Sequence, residues 1–386
     1  MKIRNIALAC LFTAVTLNVH AYTPSVGSPD LPVSSYILID HDTGTVLAEK
    51  NADESLNPAS LTKLMTSYVI GEEVKSGRLM LDDQIKVSKK AWARNFPDSS
   101  KMFIEAGTYV KAEDLNKGII IQSGNDACVA MAEHIAGSES SFVDLMNAWA
   151  ELLGLDGTAF RNSHGLDAEG QRTTARDIST LTRAIIKDLP EQHKYYKETE
   201  FSYNGISQRN RNGLLHDNRL NVDGMKTGYT SGAGYNLVTT ATNDGMRVIS
   251  VVMGAESEKQ REAHSRTLIN HAFRNFETIT VLNSNSVIAQ PRVWYSEEGT
   301  VSAGVSDDLV LTILKSDSES LSYEVALNED LFAPVRSGDP IGVVNYYIGG
   351  ELKGTTEAVA LESIEKGSYL TMAMDYVRHF LNGLQK

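Results

Sequence analysis

Asn57-Pro-Ala-Ser60-Leu-Thr-Lys63-Leu-Met-Thr-Ser-Tyr-Val-Ile70 carries both a helix signal and a pair of reactive side chains. Leu61, Leu64, Met65, Tyr68 and Val69 recur at helical spacing behind Pro58, which predicts a helix that buries an apolar face. Ser60 and Lys63 share a face one turn apart, so the amine reaches the hydroxyl. Lysine is normally protonated, with a pKa of about 10.4. Burial and a second cation nearby lower that value and make the amine a usable base for a serine nucleophile. Alone the pattern is weak, since about one S-x-x-K arises by chance in a chain this long. Indeed Ser363-Ile-Glu-Lys366 is a second match, without companions.

Outward from this helix, the flanks are β-rich and the middle is helical. Ser35 to Asp40 and Thr45 to Ala48 alternate around Asp42-Thr43-Gly44, predicting a hairpin. Helical patterns follow at about Asp126 to Ala136, Ser141 to Leu153 and Thr174 to Lys187. Strand patterns return at Met225 to Tyr229, Tyr235 to Thr242 and Met246 to Gly254, the last two joined by the tight turn Asn243-Asp244-Gly245. A long amphipathic helix spans about Glu258 to Phe276. The fold class is therefore α+β, an antiparallel sheet flanked by helices. Beyond Asn283 short runs such as Leu309 to Leu314, Leu321 to Leu327 and Ile341 to Ile348 predict a small all-β domain. The last segment, Ser368 to Gln385, is a two-faced helix. Leu370, Ala373, Val377, Phe380, Leu381 and Leu384 lie on one side, with Asp375, Arg378 and His379 opposite. Such a helix either lies in a membrane interface or packs on the β domain.

Two further triplets supply companions for Ser60 and Lys63. Ser123-Gly-Asn125 sits between helical stretches, where Gly124 permits a tight turn that presents two polar side chains. The serine hydroxyl passes a proton to a leaving amine, and the asparagine amide holds a peptide group. A helix-capping loop has the same composition, and Ser202-Tyr-Asn204 repeats the spacing, so the triplet is weak alone. Lys226-Thr-Gly228 occurs once and leads a strand run. Gly228 there allows a substrate backbone close approach, while Lys226 and Thr227 offer a cation and a hydroxyl to a carboxylate. Lys226 would also be the cation that lowers the pKa of Lys63. The three triplets in this order, on helix, loop and strand, carry a meaning that none has by itself.

A chain of 386 residues is long enough for two domains and a large core. Its net charge of −13, without any basic run, excludes a nucleic-acid partner. Lys2 and Arg4, the apolar stretch Ile6 to Val19 and the small-residue site at Val19-His20-Ala21 predict a cleaved export signal over residues 1–21. Cys10 lies inside that stretch, too early for a lipoprotein site, which leaves Cys128 alone as a buried small hydrophobe.

The triplets and their surroundings resemble the low-molecular-mass penicillin-binding proteins that act as D-alanyl-D-alanine carboxypeptidases. Asn57 to Met65, Gln122 to Cys128, His164-Gly-Leu-Asp167 with Thr174-Ala-Arg-Asp177, Asp223 to Gly228 and Arg261-Glu-Ala all read like that family. The resemblance implies a catalytic domain over residues 22–283, a β-rich domain over 284–366 and an amphipathic membrane helix over 367–386. It implies that Ser60 attacks the penultimate D-Ala carbonyl, Lys63 is the base and Ser123 relays the proton. Asn125, Lys226, Thr227, Gly228, Tyr229 and Arg261 would bind substrate, with Thr227 and Arg261 on the terminal carboxylate. Backbone N–H groups of Ser60 and Tyr229 would form the oxyanion hole. The implied partners are peptidoglycan stem peptides ending in D-Ala-D-Ala, β-lactam antibiotics and the outer face of the inner membrane, with no metal or organic cofactor. Well-known members carry histidine after Lys-Thr-Gly, where this chain has Tyr229. His164 belongs to what resembles a structural loop under the site. Rival readings are a class A β-lactamase, a DD-endopeptidase and a non-catalytic envelope scaffold. The lactamase reading needs an E-x-x-L-N segment between the second and third triplets, and none occurs between Asn125 and Lys226.

Overall fold

The computed structural model describes residues 24–383, in two compact units. The expected export signal and Leu384 lie outside the described residues.

One unit comprises residues 24–279 with Val310–Lys315. Its sheet contains β1 (Ser35–Asp40), β2 (Val46–Lys50), β3 (Asn221–Gly224), β4 (Thr227–Thr230), β5 (Gly234–Asn243) and β6 (Met246–Ala255). The strand order is β2-β1-β6-β5-β3, with β4 also paired to β5, and every pairing is antiparallel. The expected β5–β6 turn forms with Asp244 and Gly245 both at positive φ, the geometry a tight two-residue hairpin needs. Strand alternation gives the sheet two apolar faces. Ile37, Ile39, Ile249 and Val251 face a core shared with Leu64, Met65, Val69 and Ile185. Leu38, Val248 and Val252 face Leu268, Ile269 and Ala272 instead. Helices therefore cover both sides: α1 (Thr62–Lys75) and α5 (Ala175–Asp188) on one, α6 (Glu258–Asn275) on the other. Between α1 and α5 lie α2 (Ala112–Ile120), α3 (Asn125–Ala136) and α4 (Glu139–Leu152). Ser138, Thr174 and Ser257 cap α4, α5 and α6 by accepting a backbone N–H three residues on.

Helix α2 is not among the sequence expectations. Its Gly118 weakens the helical signal but lets Met102 pack on the helix: a Cβ there would stand 2.4 Å from Met102 Sδ and would displace that side chain. The expected strand Met225–Tyr229 is broken as well. Met225 and Lys226 both donate their N–H to Val238 O, at 3.0 and 3.2 Å, so β3 ends in a bulge and β4 starts at Thr227.

The other unit comprises Thr280–Leu309 and the chain from Ser316 onward. Val310–Lys315 groups with the first unit, where Thr312 Oγ1 lies 2.6 Å from Thr43 Oγ1, although the β-rich texture assigns this run to the small domain. A four-stranded sheet orders Ala303–Gly304, Glu351–Ala360, Pro340–Ile348 and Leu321–Leu327 side by side. The terminal helix, Tyr369–Gly383, docks through its polar side. Asp375 is buried, accepting from Arg292 Nη2 at 2.7 Å and from Tyr295 N at 2.9 Å. His379 Nε2 meets Asp330 at 2.8 Å, and its ring sits edge-on to Trp294 and Phe332. The apolar side is left out: Leu370, Val377, Phe380 and Leu381 are 70, 55, 59 and 53% exposed. Among the described residues no helix is long and apolar enough to cross a membrane.

Candidate active site

Ser60 sits in a single 3-10 turn, Ala59–Leu61, that feeds α1. Ala59 takes a left-handed φ of 47°, steadied by Asn57 Oδ1, which accepts the Ala59 N–H at 2.9 Å. Lys63 is fully buried, with Nζ 3.0 Å from Ser60 Oγ, 2.7 Å from Asn125 Oδ1 and in hydrogen-bond contact with His164 O. Two of these three partners can only accept. A neutral amine keeps two N–H donors, so they go to Asn125 Oδ1 and His164 O. Its lone pair then faces the one partner that can donate, the Ser60 hydroxyl. Burial lowers the Lys63 pKa to about 8, and the Arg211 guanidinium adds to the shift.

The sequence reading gave this role to Lys226, and the two lysines do act on each other, with Arg211 as a further cation. Lys226 is itself buried, and its pKa lies well below the usual lysine value, first by desolvation and then by Lys63. Two buried ammonium groups side by side repel each other. Arg211 lies at the rim of the cleft and belongs to no motif, so the sequence alone offered no signal for it.

The Ser123-Gly-Asn125 loop joins α2 to α3, with its conformational roles reversed from expectation. Ser123 takes the left-handed φ of 61°, whereas Gly124 has an ordinary φ of −63°. The glycine is needed for closeness instead, because a Cβ at position 124 would come within 3.1 Å of Met102 N and 3.2 Å of Met102 Cβ. Asp126 fixes that neighbouring segment by accepting from Met102 N at 2.7 Å and Ile104 N at 3.2 Å. Asn125 Nδ2 donates to Ser99 Oγ at 3.1 Å, which leaves its oxygen for Lys63.

On the opposite wall, β4 passes the nucleophile. A Cβ on Gly228 would stand 3.2 Å from both Pro58 O and Ser60 N. Gly228 thus allows the enzyme's own backbone to close on the serine turn, where the sequence reading assigned the space to a substrate backbone. Tyr229 is 53% exposed and its ring lies 4.3 Å from that of Tyr235. Arg261 extends over Tyr235, is 2% exposed, and its Nε has no partner in the protein. Its Nη2 lies 3.5 Å from Glu258 Oε1, and a buried guanidinium lining a cleft suits a carboxylate.

Ser60, Ser123, Asn125, Thr227, Gly228, Tyr229 and Arg261 line one cleft of about 790 Å³. Lys63 and Lys226 are buried residues beside it. Asp167, from the His164-Gly-Leu-Asp167 stretch, also lines it, as do Ser99, Lys101 and Arg211, which lie outside the motifs that sequence reasoning used. The decoys lie elsewhere: Ser202 pairs with Ser207 in a small hairpin, and Ser363 Oγ accepts from Ser337 N in the other unit. Burial pushes the Cys128 thiol up to about 12, which makes it inert packing. His164 is held neutral, its pKa lowered to about 4 chiefly by burial and then by Lys63. No cluster that could hold a metal ion occurs among the described residues.

The sequence model of a family described as D-alanyl-D-alanine carboxypeptidase matches residues 22–257. A second, described as the C-terminal domain of penicillin-binding protein 5, matches residues 276–366. The D-alanyl-D-alanine carboxypeptidase DacA of Escherichia coli strain K12 is 45% identical over 366 residues, 94% of this chain and 90% of that protein. DacC of the same strain is 44% identical over 357 residues, 92% of this chain and 89% of its own. Among solved structures, penicillin-binding protein 5 from Haemophilus influenzae superposes with a TM-score of 0.83 at 43% identity, covering 88% of this chain and 100% of that one. Penicillin-binding protein D2 from Listeria monocytogenes in its ampicillin-bound form has a TM-score of 0.58 at 28% identity, covering 64% of this chain and 100% of that one.

Proposed function

Since the chain belongs to the D-alanyl-D-alanine carboxypeptidase family, we propose that the cleft at Ser60 is where it carries out that reaction. The protein is a serine-type D-alanyl-D-alanine carboxypeptidase that acts on peptidoglycan stem peptides and binds penicillin. The β-lactamase, endopeptidase and scaffold readings are not favoured.

In our reading, neutral Lys63 takes the proton of Ser60 as Oγ bonds to the carbonyl carbon of the penultimate D-Ala. Backbone N–H groups of Ser60 and Tyr229 receive the developing oxyanion, each such donor being worth about 3 kcal/mol. Collapse breaks the C–N bond. Ser123 relays the proton now on Lys63 to the departing amine, which returns Lys63 to its neutral form, and D-Ala leaves with its carboxylate on Arg261 and Thr227. Asn125 holds the substrate amide, Lys226 supplies electrostatic support, and Gly228 keeps β4 against the nucleophile. Water then cleaves the Ser60 ester, giving the shortened peptide and restoring the hydroxyl. A β-lactam enters as a mimic of the D-Ala-D-Ala end and acylates Ser60. Tyr229 contributes its backbone to the oxyanion hole and its exposed ring to the cleft mouth.

The supporting observation is the three-way contact of Lys63 Nζ with Ser60 Oγ, Asn125 Oδ1 and His164 O. We further propose export to the periplasm and attachment to the outer face of the inner membrane through the exposed apolar side of Tyr369–Gly383. Incubation with a peptide ending in D-Ala-D-Ala tests the reaction: the mature protein releases free D-Ala, and Ser60→Ala does not. Release at the normal rate by Ser60→Ala would refute the assignment of the nucleophile.

A further inference from the structure

Glu139 is the first residue of α4, 9% exposed, and belongs to none of the catalytic triplets. Its Oε1 accepts from Ser163 N at 3.1 Å and Ser163 Oγ at 2.9 Å, and lies 3.5 Å from His164 Nε2. Its Oε2 pairs with Lys90 Nζ at 2.8 Å. One carboxylate thereby gathers two consecutive residues of the loop between α4 and α5. Both of those residues send their carbonyls to α1: Ser163 O accepts from Thr66 Oγ1 at 2.6 Å, and His164 O accepts from Lys63 Nζ.

The His164 ring is committed to the same arrangement. Its Nδ1 accepts from Leu166 N at 3.2 Å, so in the neutral ring the proton is on Nε2, facing Glu139. That tautomer leaves no free lone pair for general base work. Gly165 adds a steric reason for the loop's fixed path: a Cβ there would overlap Ala59 O at 1.9 Å.

We infer that Glu139 is a positioning residue for the acylation step. By anchoring Ser163 and the His164 ring, it fixes the His164 carbonyl as one of the two acceptors that turn the Lys63 lone pair toward Ser60. This rests on Lys63 being the base, an assignment that Ser60→Ala and Lys63→Ala test separately. Removing Glu139 leaves the loop to Asn162 and Thr66 but unties Ser163 and the His164 ring, so His164 O no longer holds one N–H of Lys63 in a fixed direction. The amine can then present an N–H to Ser60, and productive geometry becomes rare. A shift of about 1 Å at a reacting group costs up to 100-fold in rate. The defect belongs to the chemical step, because Glu139 does not line the cleft that binds substrate.

The test is stopped-flow acylation of the mature protein by benzylpenicillin, which separates the first-order acylation constant from the initial binding constant. Glu139→Ala is expected to lower the acylation constant at least tenfold and change the binding constant less than threefold. Glu139→Gln, which keeps an oxygen for Ser163 N and Oγ, is expected to retain at least a third of the normal constant. Lys90→Ala is expected to do likewise, since Lys90 touches only the outer carboxylate oxygen. Active-site titration and a thermal melt on each variant count only folded enzyme. A normal acylation constant per folded site in Glu139→Ala would overturn the inference, as would Glu139→Gln being as slow as Glu139→Ala. Should Glu139→Ala not fold, the Gln and Lys90 variants decide: a tenfold loss in either rejects positioning through the Ser163 bonds. Failure of wild type to be acylated would instead reject the reading of the site itself.

Discussion

The reactivity of Ser60 depends on the protonation state of Lys63. With a pKa near 8, on the order of one Lys63 in ten is neutral at pH 7, against roughly one in several thousand for an ordinary lysine. The neutral form is the base, so the acylation rate constant should rise about tenfold per pH unit below 8 and level off above it. Arg211 lowers the Lys63 pKa, so Arg211→Gln should raise it and move that limb to higher pH. A pH profile of penicillin acylation checks both, and a limb unmoved by Arg211→Gln would remove the cation from the account. Several of these residues were legible from spacing: Ser60 and Lys63 share a helical face, and the order of the triplets marks the rest. Arg211 and Glu139 were not. Neither belongs to a motif, and their distance to the serine turn is created only when the loops before β3 and α5 fold back on α1.

At the level of elements, what could be read was local. The β5–β6 turn is encoded by Asn243-Asp244-Gly245 and forms as read, with both central residues at positive φ. Helix α2 was hidden because Gly118 argues against a helix until Met102 is seen packed on it. The terminal helix is the sharper case. Its two faces were visible in the sequence, but which one docks was not. The partners of Asp375, Arg292 and the Tyr295 backbone, lie about 80 residues away along the chain. The docked polar side leaves Leu370, Val377, Phe380 and Leu381 as an outward apolar stripe with Arg378 the neighbouring cation. Binding to a bilayer surface should therefore be driven by apolar burial and resist salt. In a flotation assay with phosphatidylethanolamine and phosphatidylglycerol vesicles, the mature protein should float at 0.1 M and at 1 M salt. The chain lacking residues 369–386 should stay in the dense fraction. Equal flotation by the truncated chain would assign the membrane contact elsewhere.

For the molecule as a whole, a buried sheet with helices on both faces holds three distant segments at one cleft. The serine turn at the head of α1, the loop between α2 and α3, and the β4 wall each bring one triplet. Burial on all sides makes Lys63 a base, and it also explains why the loop under the site ends its carbonyls on α1. The account turns on one bond forming at one oxygen. Mass spectrometry of the mature protein after brief exposure to benzylpenicillin measures it directly, with digestion to map the adduct. One penicilloyl group per chain is predicted, on the peptide containing Ser60, and none on Ser60→Ala. An adduct on another residue, or undiminished labelling of Ser60→Ala, would contradict the mechanism outright.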